Sequence, residues 1–355
     1  MDLLDHIVEV AAQIATGQRE VGAALTADVA QSTGIDDRSL ERLVGLWATS
    51  WTPERASAMR RRRDELASSR GRRPVETAVI VAPGNLPVAT WQALIEALVA
   101  GSKVRIKPSA GDPHSAQRLV DVLAARDARL RERVEIVQVE RGDEGGWRRL
   151  LAGASALLVY GGDDAVAAVT ELARICGWRG QLRSHGHKVS LGWLDAADLD
   201  DLDRGDPTAT ATLTGIVHDA LLADGRGCLS VRALIAETKD PARIARLHAQ
   251  VVALVPEIAA VLPSGRFAAD QIAARRMLIE NGRFEAALGT ALVTETGDAV
   301  ICSRISAPSA LTLTDLGPGG RALMILPTAS RDERHRLLAP LRRHLAGLAV
   351  SRRSL

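Results

Sequence analysis

From residue 77 to residue 194 the chain alternates short apolar runs with helix-spaced stretches, and a turn rich in Pro, Gly or Lys closes several of the runs. Thr77-Ala78-Val79-Ile80-Val81-Ala82 ends in Pro83-Gly84-Asn85-Leu86-Pro87. Val104-Arg105-Ile106 ends in Lys107-Pro108-Ser109, and the run 156–160 ends in Gly161-Gly162. Further strands are expected at 134–139 and 189–194. Between them, helices are expected at 88–99, closed by Gly101, and from about Pro113 to Arg126 behind Asp112 as N-cap. Two more fall at 145–152 and 163–176. Parallel strands need a crossover, which a helix supplies, so this alternation predicts an α/β chain with a parallel sheet covered on both faces. Ligands of such sheets bind beyond the carboxyl ends of the strands. The three turns should therefore share one rim.

Before Pro74 the texture differs. Residues 1–73 are rich in Ala, Arg and Glu, and Leu3, Leu4, Ile7, Val8, Val10, Ala11 and Ile14 recur at helical spacing. Arg60 to Arg63, with Arg70, Arg72 and Arg73, could meet phosphates, although a solvated helix face is the commoner outcome for such a run. A net charge of +2 argues against a dedicated nucleic-acid binder, and with two Phe and one Tyr against six Trp, stacking platforms for single-stranded nucleic acid are not expected. No apolar run approaches membrane-spanning length. The N-terminus, Met1-Asp2-Leu3-Leu4-Asp5, is acidic and lacks a signal-peptide pattern. Cysteines at 176, 228 and 302 form no CxxC and no Cys/His pair at ligand spacing, so neither a disulfide framework nor a metal site is expected. A reducing cytoplasm is the simplest setting.

Cys228 stands apart from the other two. Asp224-Gly225-Arg226-Gly227-Cys228 is a Gly-rich turn, and the apolar run 231–236 that follows reads as a buried strand. A thiol at such a turn, beside free backbone N–H groups, can attack a carbonyl and stabilise the resulting oxyanion. The plainer alternative is a small buried apolar residue, the usual role of a free cysteine.

Four ordered segments resemble the aldehyde dehydrogenase superfamily. Pro83-Gly84-Asn85-Leu86-Pro87 resembles its Pro-x-Asn-x-Pro loop, and the stretch from Ala97 through Lys107-Pro108-Ser109 resembles its Ala-Leu-x-Ala-Gly to Lys-Pro-Ser block. Gly186-His187-Lys188 stands where that family carries Gly-Gly-Lys, and Gly227-Cys228 where it carries its nucleophile loop. The wording around Lys188-Val189-Ser190 and Cys228-Leu229-Ser230 is most similar to the acyl-CoA reductase branch, that of the fatty-acid reductase of bacterial bioluminescence. The resemblance implies a Rossmann-type cofactor domain and a smaller α/β catalytic domain. It also implies reduction of an acyl thioester, delivered by CoA or an acyl-carrier protein, to an aldehyde.

The same resemblance assigns roles. Cys228 becomes the nucleophile that carries the acyl group, and Asn85 an oxyanion donor beside the Cys228 N–H; otherwise Asn85 is a turn residue before Leu86-Pro87. Lys107 and Ser109 would meet the adenosine ribose, with Pro83, Gly84, Gly161 and Gly162 on the cofactor rim. Asp163 reads as a helix N-cap that would repel a phosphate. Relatives often have Glu after Lys-Pro-Ser; Ala110 here removes a negative charge, which favours NADPH while leaving NADH open. Lys103 and Arg105 add positive charge, unless Arg105 points to the far side of its strand. Ser184 stands where oxidising members keep a water-activating Glu, so acyl transfer to a thiol is favoured over hydrolysis. His218 is an acid/base candidate, and His185 and His187 are more simply structural.

The domain expectation is a helical segment 1–73, a cofactor domain 74–225, a catalytic domain 226–335, and a C-terminal helix and tail 336–355, with the helix at 337–348. Relatives continue further, so a homodimer or a partner subunit is expected to complete the molecule. Two rival functions stay open: an NAD(P)-dependent aldehyde dehydrogenase, and a non-catalytic fold relative acting as a subunit.

Overall fold

The computed structural model describes residues 2–69, 75–306 and 308–351. The chain falls into two compact units, Met1–His187 and Lys188–Leu355.

In the first unit a parallel sheet is built from β1 (Thr77–Val81), β2 (Lys103–Lys107), β3 (Val134–Ile136), β4 (Ala156–Tyr160) and β5 (Gln181–His185), in the order β3-β2-β1-β4-β5. Helices Pro87–Val99, Ser115–Ala124, Glu144–Leu151 and Asp163–Ile175 supply the crossovers. Pro87 occupies the first turn of its helix, where a missing N–H breaks no intrahelical bond. The next helix starts at Ser115 with His114, not the expected Asp112, at the N-cap position, although Asp112 accepts the Ser115 N–H at 3.1 Å. The helices Leu3–Ala15, Arg19–Thr26, Val29–Thr33, Asp37–Thr49 and Pro53–Ser68 precede the sheet. Trp47 meets Trp91 of the first crossover edge-on at 5.2 Å, and the Trp91 indole N–H reaches the Ser115 carbonyl at 2.8 Å. Burying both rings together joins the N-terminal helices to the sheet. Arg60 and Arg63 hold Asp2 at 3.3 and 3.1 Å, so these two arginines serve packing within the unit. Arg70, Arg72 and Arg73 lie outside the described residues.

The second unit carries β6 (Val189–Leu194), β7 (Val231–Glu237), β8 (Ala291–Thr296), β9 (Ala299–Arg304), β10 (Ala322–Thr328) and β11 (Leu345–Ala349). Their order is β11-β6-β7-β10-β9-β8, parallel throughout except for the β8–β9 hairpin. β6 and β10 are buried along their whole length, as parallel strands covered on both faces are. One face packs against Pro207–Leu221 and Pro241–Val261 through Ile216, Val217, Leu247 and Val251. The other meets Ile279, Leu311 and Leu337.

Four expectations need correction. The unit boundary lies at 187/188, not 225/226, because β6 pairs with β7 and β11 and so belongs to the second sheet. The helix expected at 337–348 is instead a helix Arg331–Leu338, a 3-10 turn Ala339–Leu341 and the strand β11. Pro340 has no N–H to continue the helix, and the chain beyond it is taken up by the open edge of β6. β5 was not foreseen: Gln181 to Ser184 are all exposed, so no apolar pattern announces it, and pairing with β4 alone defines it. Lastly, Pro241–Val261 is long and apolar enough by length and composition to cross a membrane. Here Ile244, Leu247, Val251, Val255 and Ile258 are buried in the core, and Arg243 pairs with Asp203 at 3.0 Å.

Candidate active site

In the first unit the sheet order puts β2, β1 and β4 side by side, with Val81 opposite both Lys107 and Val159. Their carboxyl ends therefore bring Pro83, Gly84, Asn85, Lys107, Ser109, Gly161 and Gly162 to one rim, as expected. The first two loops interlock. A Cβ on Gly84 would stand 2.2 Å from Ser109 Oγ, and one on Gly111 3.2 Å from the Gly84 carbonyl oxygen. Only a residue without a side chain fits at 84, which is how the Pro83-Gly84-Asn85 backbone comes so close to the Lys107-Pro108-Ser109 turn. Pro83 is buried, whereas Gly84 and Asn85 are exposed.

Lys107 is half-buried, and among the described residues its Nζ finds only the Pro108 carbonyl at 3.5 Å. Burial, with the Arg141 charge adding to it, lowers the ammonium pKa. A cation left so weakly satisfied, beside the Ser109 hydroxyl, fits the hydroxyl-rich ribose of a dinucleotide. Ala110, exposed next to it, adds no carboxylate. The pyrophosphate is not accommodated as readily at the Gly161-Gly162 turn, because Asp163 and Asp164 open the helix there. Gly162, not Asp163, is the N-cap. The Asp163 carboxylate instead accepts the His187 N–H at 2.9 Å, and a Cβ on Gly186 would fall 2.4 Å from the same oxygen. Asp163 thus fastens the Gly186-His187 turn. His185 stacks flat on Tyr160 at 4.4 Å, following the Tyr160–His185 register of β4 and β5. Burial pushes the Tyr160 hydroxyl up to about 12. Arg105 points away from the rim, donating to the Leu150 and Ala152 carbonyls at 3.0 and 2.6 Å. It caps the helix Glu144–Leu151, and its expected contribution to a phosphate site is withdrawn. Ser184 is exposed on β5.

Cys228 and His218 belong to the second unit. Cys228 is exposed, Cys176 partly covered and Cys302 buried, its thiol pushed up to about 12 by burial and by Glu285 and Glu295. Just before β7 the chain makes a tight turn: the Ser230 N–H reaches the Gly227 carbonyl at 3.1 Å, and the Gly227 N–H reaches Ser230 Oγ at 3.1 Å. Ser190, at the start of β6, donates its hydroxyl to the Cys228 carbonyl at 2.9 Å. Within the unit, neither the Cys228 N–H nor the Leu229 N–H donates to a described residue. An exposed thiol beside two uncommitted N–H groups is the arrangement that thioester attack requires. His218, in the last turn of Pro207–Leu221, has Asp219 Oδ1 at 3.5 Å, and no hydrogen bond links it to Cys228 among the described residues. Ser190 and Ser230 were missed as site residues; the Ser190-to-Cys228 bond spans two strands and leaves no local pattern in the sequence.

Residues 50–307 match the acyl-CoA reductase (LuxC) family. The chain belongs to that family. Among curated proteins it is similar to the long-chain acyl-protein thioester reductase 2 of Photobacterium leiognathi, 23% identical over 163 residues. That match covers 45% of this chain and 31% of the relative, about a third of the relative's length. The fold is that of the aldehyde dehydrogenases. The aldehyde dehydrogenase KauB from Pseudomonas aeruginosa superposes with a TM-score of 0.68 at 15% identity, over 99% of this chain and 77% of that one. A succinic semialdehyde dehydrogenase from Streptococcus pyogenes, solved with NADP+, gives 0.66 at 15% identity, over 99% and 78%.

Proposed function

We propose that the chain reduces an acyl thioester, carried by CoA or an acyl-carrier protein, to an aldehyde with NADPH as the preferred cofactor. The observation that carries this is the Cys228 turn: an exposed thiol, a carbonyl held by Ser190, and free N–H groups at 228 and 229. The thiolate of Cys228 attacks the thioester carbonyl, and the negative charge that develops on oxygen is met by the Cys228 N–H, with Asn85 the further donor that the superfamily resemblance implies. Collapse expels the carrier thiolate, which takes up a proton, and leaves the acyl group on sulfur. Nucleophile and leaving group are both thiols of similar basicity, so this exchange needs no strong driving force. Lys107 and Ser109 would hold the adenosine ribose. When bound, NADPH supplies the hydride that converts the acyl-enzyme to aldehyde and returns the Cys228 thiolate.

Ser184 offers no carboxylate to activate water, which favours thiol exchange over acid formation. In this reading the first unit is the cofactor domain and the second the nucleophile domain, and a reducing compartment keeps Cys228 as the thiol.

Intact-protein mass spectrometry after incubation with a panel of acyl-CoAs, without NADPH, tests the proposal. An acyl adduct that Cys228→Ser abolishes and NADPH discharges is the expected result. Acid formation from aldehyde and nicotinamide cofactor would replace this reading with the oxidising one. Full reductase activity in Cys228→Ser would remove the mechanism.

A further inference from the structure

The chain leading to Cys228 holds an unusual backbone. Ala223 and Asp224 take left-handed φ values of 47° and 58°, and Gly225 follows at 65°. Left-handed conformations disfavour residues with a side chain, and such strain persists only where surrounding contacts over-determine it. At Gly225 no side chain would fit, since a Cβ would meet the Ala220 carbonyl oxygen at 2.9 Å. At Asp224 the side chain itself does the holding.

Asp224 is buried, yet almost every polar atom it has is engaged. Its backbone carbonyl accepts the Gly320 N–H at 2.8 Å and the Arg321 N–H at 3.3 Å. Its carboxylate accepts the Gly265 N–H at 3.3 and 3.2 Å and pairs with Arg226 at 3.2 Å. Arg321, fully buried, lies 3.8 Å from the same carboxylate, pairs with Asp298 at 2.8 Å and donates to the Leu262 carbonyl at 2.7 Å. Arg226, two residues before Cys228, also donates to the Arg266 carbonyl at 2.7 Å. The segments around 224–226, 262–266 and 320–321 are thereby tied together immediately upstream of the nucleophile turn. Downstream, Ser190 and Ser230 fix the carbonyl of Cys228 and the N–H of Gly227. Among the described residues, what the two clamps leave unengaged is the N–H of Cys228 and of Leu229.

We propose that Asp224 is a positioning residue that, through Arg226 and the left-handed turn, aims the free N–H groups beside Cys228 at the oxyanion. This rests on Cys228 as the nucleophile. The alternative is a buried ion cluster that contributes only to folding, since removing one partner of such a cluster destabilises whatever its function. The two differ in what they do to a folded protein. Oxyanion alignment affects acyl transfer to the thiol; it leaves displacement at an alkyl halide, which forms no oxyanion, untouched.

Asp224→Asn keeps the shape and removes the charge. Two rates at Cys228, read by mass spectrometry at the peptide level, separate the cases: acylation by 4-nitrophenyl acetate and alkylation by iodoacetamide. The expected result is acylation slowed roughly 10- to 100-fold, the scale of a small misalignment, with alkylation within about threefold of wild type. Arg226→Met, which leaves the Arg321–Asp298 pair intact, is expected to show the same split at smaller size and stands in if Asp224→Asn fails to fold. A lowered melting temperature with both rates unchanged, or both rates falling together, would overturn the proposal. The underlying reading fails separately: a wild-type protein acylated by the nitrophenyl ester yet by neither acyl-CoA nor acyl-carrier protein keeps the positioning role and loses the thioester substrate.

Discussion

The Pro83–Pro87 loop and the Gly227–Ser230 turn both border strands of parallel sheets, yet they are held by opposite means. The first is fixed by its immediate sheet neighbour: Gly84 lies against Ser109 because β1 lies against β2, and the Ala82 N–H reaches the Lys107 carbonyl at 3.0 Å. The second is fixed from a distance. Ser190 reaches Cys228 across 38 positions at 2.9 Å, and Gly265 reaches Asp224 across 41 at 3.2 Å. Backbone fit places the rim of the first unit; side-chain bonds and buried charge place the Cys228 turn. A rim read mainly through backbone approach should suffer from added atoms. A turn held by side chains should suffer from deleted ones.

The largest expected effect is at Asn85, proposed above as an oxyanion donor on the rim. Asn85→Ala should lower the rate of acyl transfer by roughly 10²–10³-fold if its amide is an oxyanion donor. An unchanged single-turnover rate would leave Asn85 as a turn residue. Next in size is Gly84→Ala, which adds one carbon 2.2 Å from Ser109 Oγ. A loss of about 1–3 kcal/mol in urea unfolding is expected, with Ser109→Gly in the same chain restoring most of it. Wild-type stability in the single variant would show that the two loops are not locked together.

Ala110→Glu should shift the ratio of kcat/KM for NADPH over NADH downward by roughly tenfold, the scale of one like charge near a surface. No shift would mean that the 2′-phosphate lies elsewhere. The smallest effect concerns the second unit's interior. His248 is buried with Nδ1 2.7 Å from Ser303 Oγ and Nε2 2.8 Å from Thr294 Oγ1, and burial lowers its pKa below the ordinary 6.5. Below that ordinary value the unfolded chain binds the proton that the folded chain resists, so this group's stability is intact above it and is lost as pH falls. Relative to His248→Gln, the wild-type melting temperature should fall by about 2–4 °C more on acidification. Parallel melting curves would show that His248 does not titrate in this range.

Much of the first unit was legible because its signals are local. Apolar runs closed by Pro-Gly-Asn, Lys-Pro-Ser and Gly-Gly give the strands, their ends and the shared rim without any knowledge of pairing. β5 was not legible, since its exposed residues carry no period and only the Val159–Ser184 and Tyr160–His185 pairings make it a strand. β11 failed for a related reason: Leu345 to Ala349 has the composition of a helix end, and the vacant edge of β6 decides otherwise. Arg105 was ambiguous in the sequence and is settled by the carbonyls at Leu150 and Ala152.

The sequence by itself determined the α/β class, the rim loops and the likeness to the acyl-CoA reductases. All of these reside in contiguous residues, where periodicity and turn chemistry act over a few positions. The tertiary structure alone decided where one unit ends and the next begins, which strand receives the last segment, and what surrounds Cys228. Those depend on partners far apart in the chain: Asp224 with Gly265, Gly320 and Arg321, and Ser190 with Cys228. Hydrogen bonds and charge pairs of that kind depend on distance in space, which spacing along the chain does not encode.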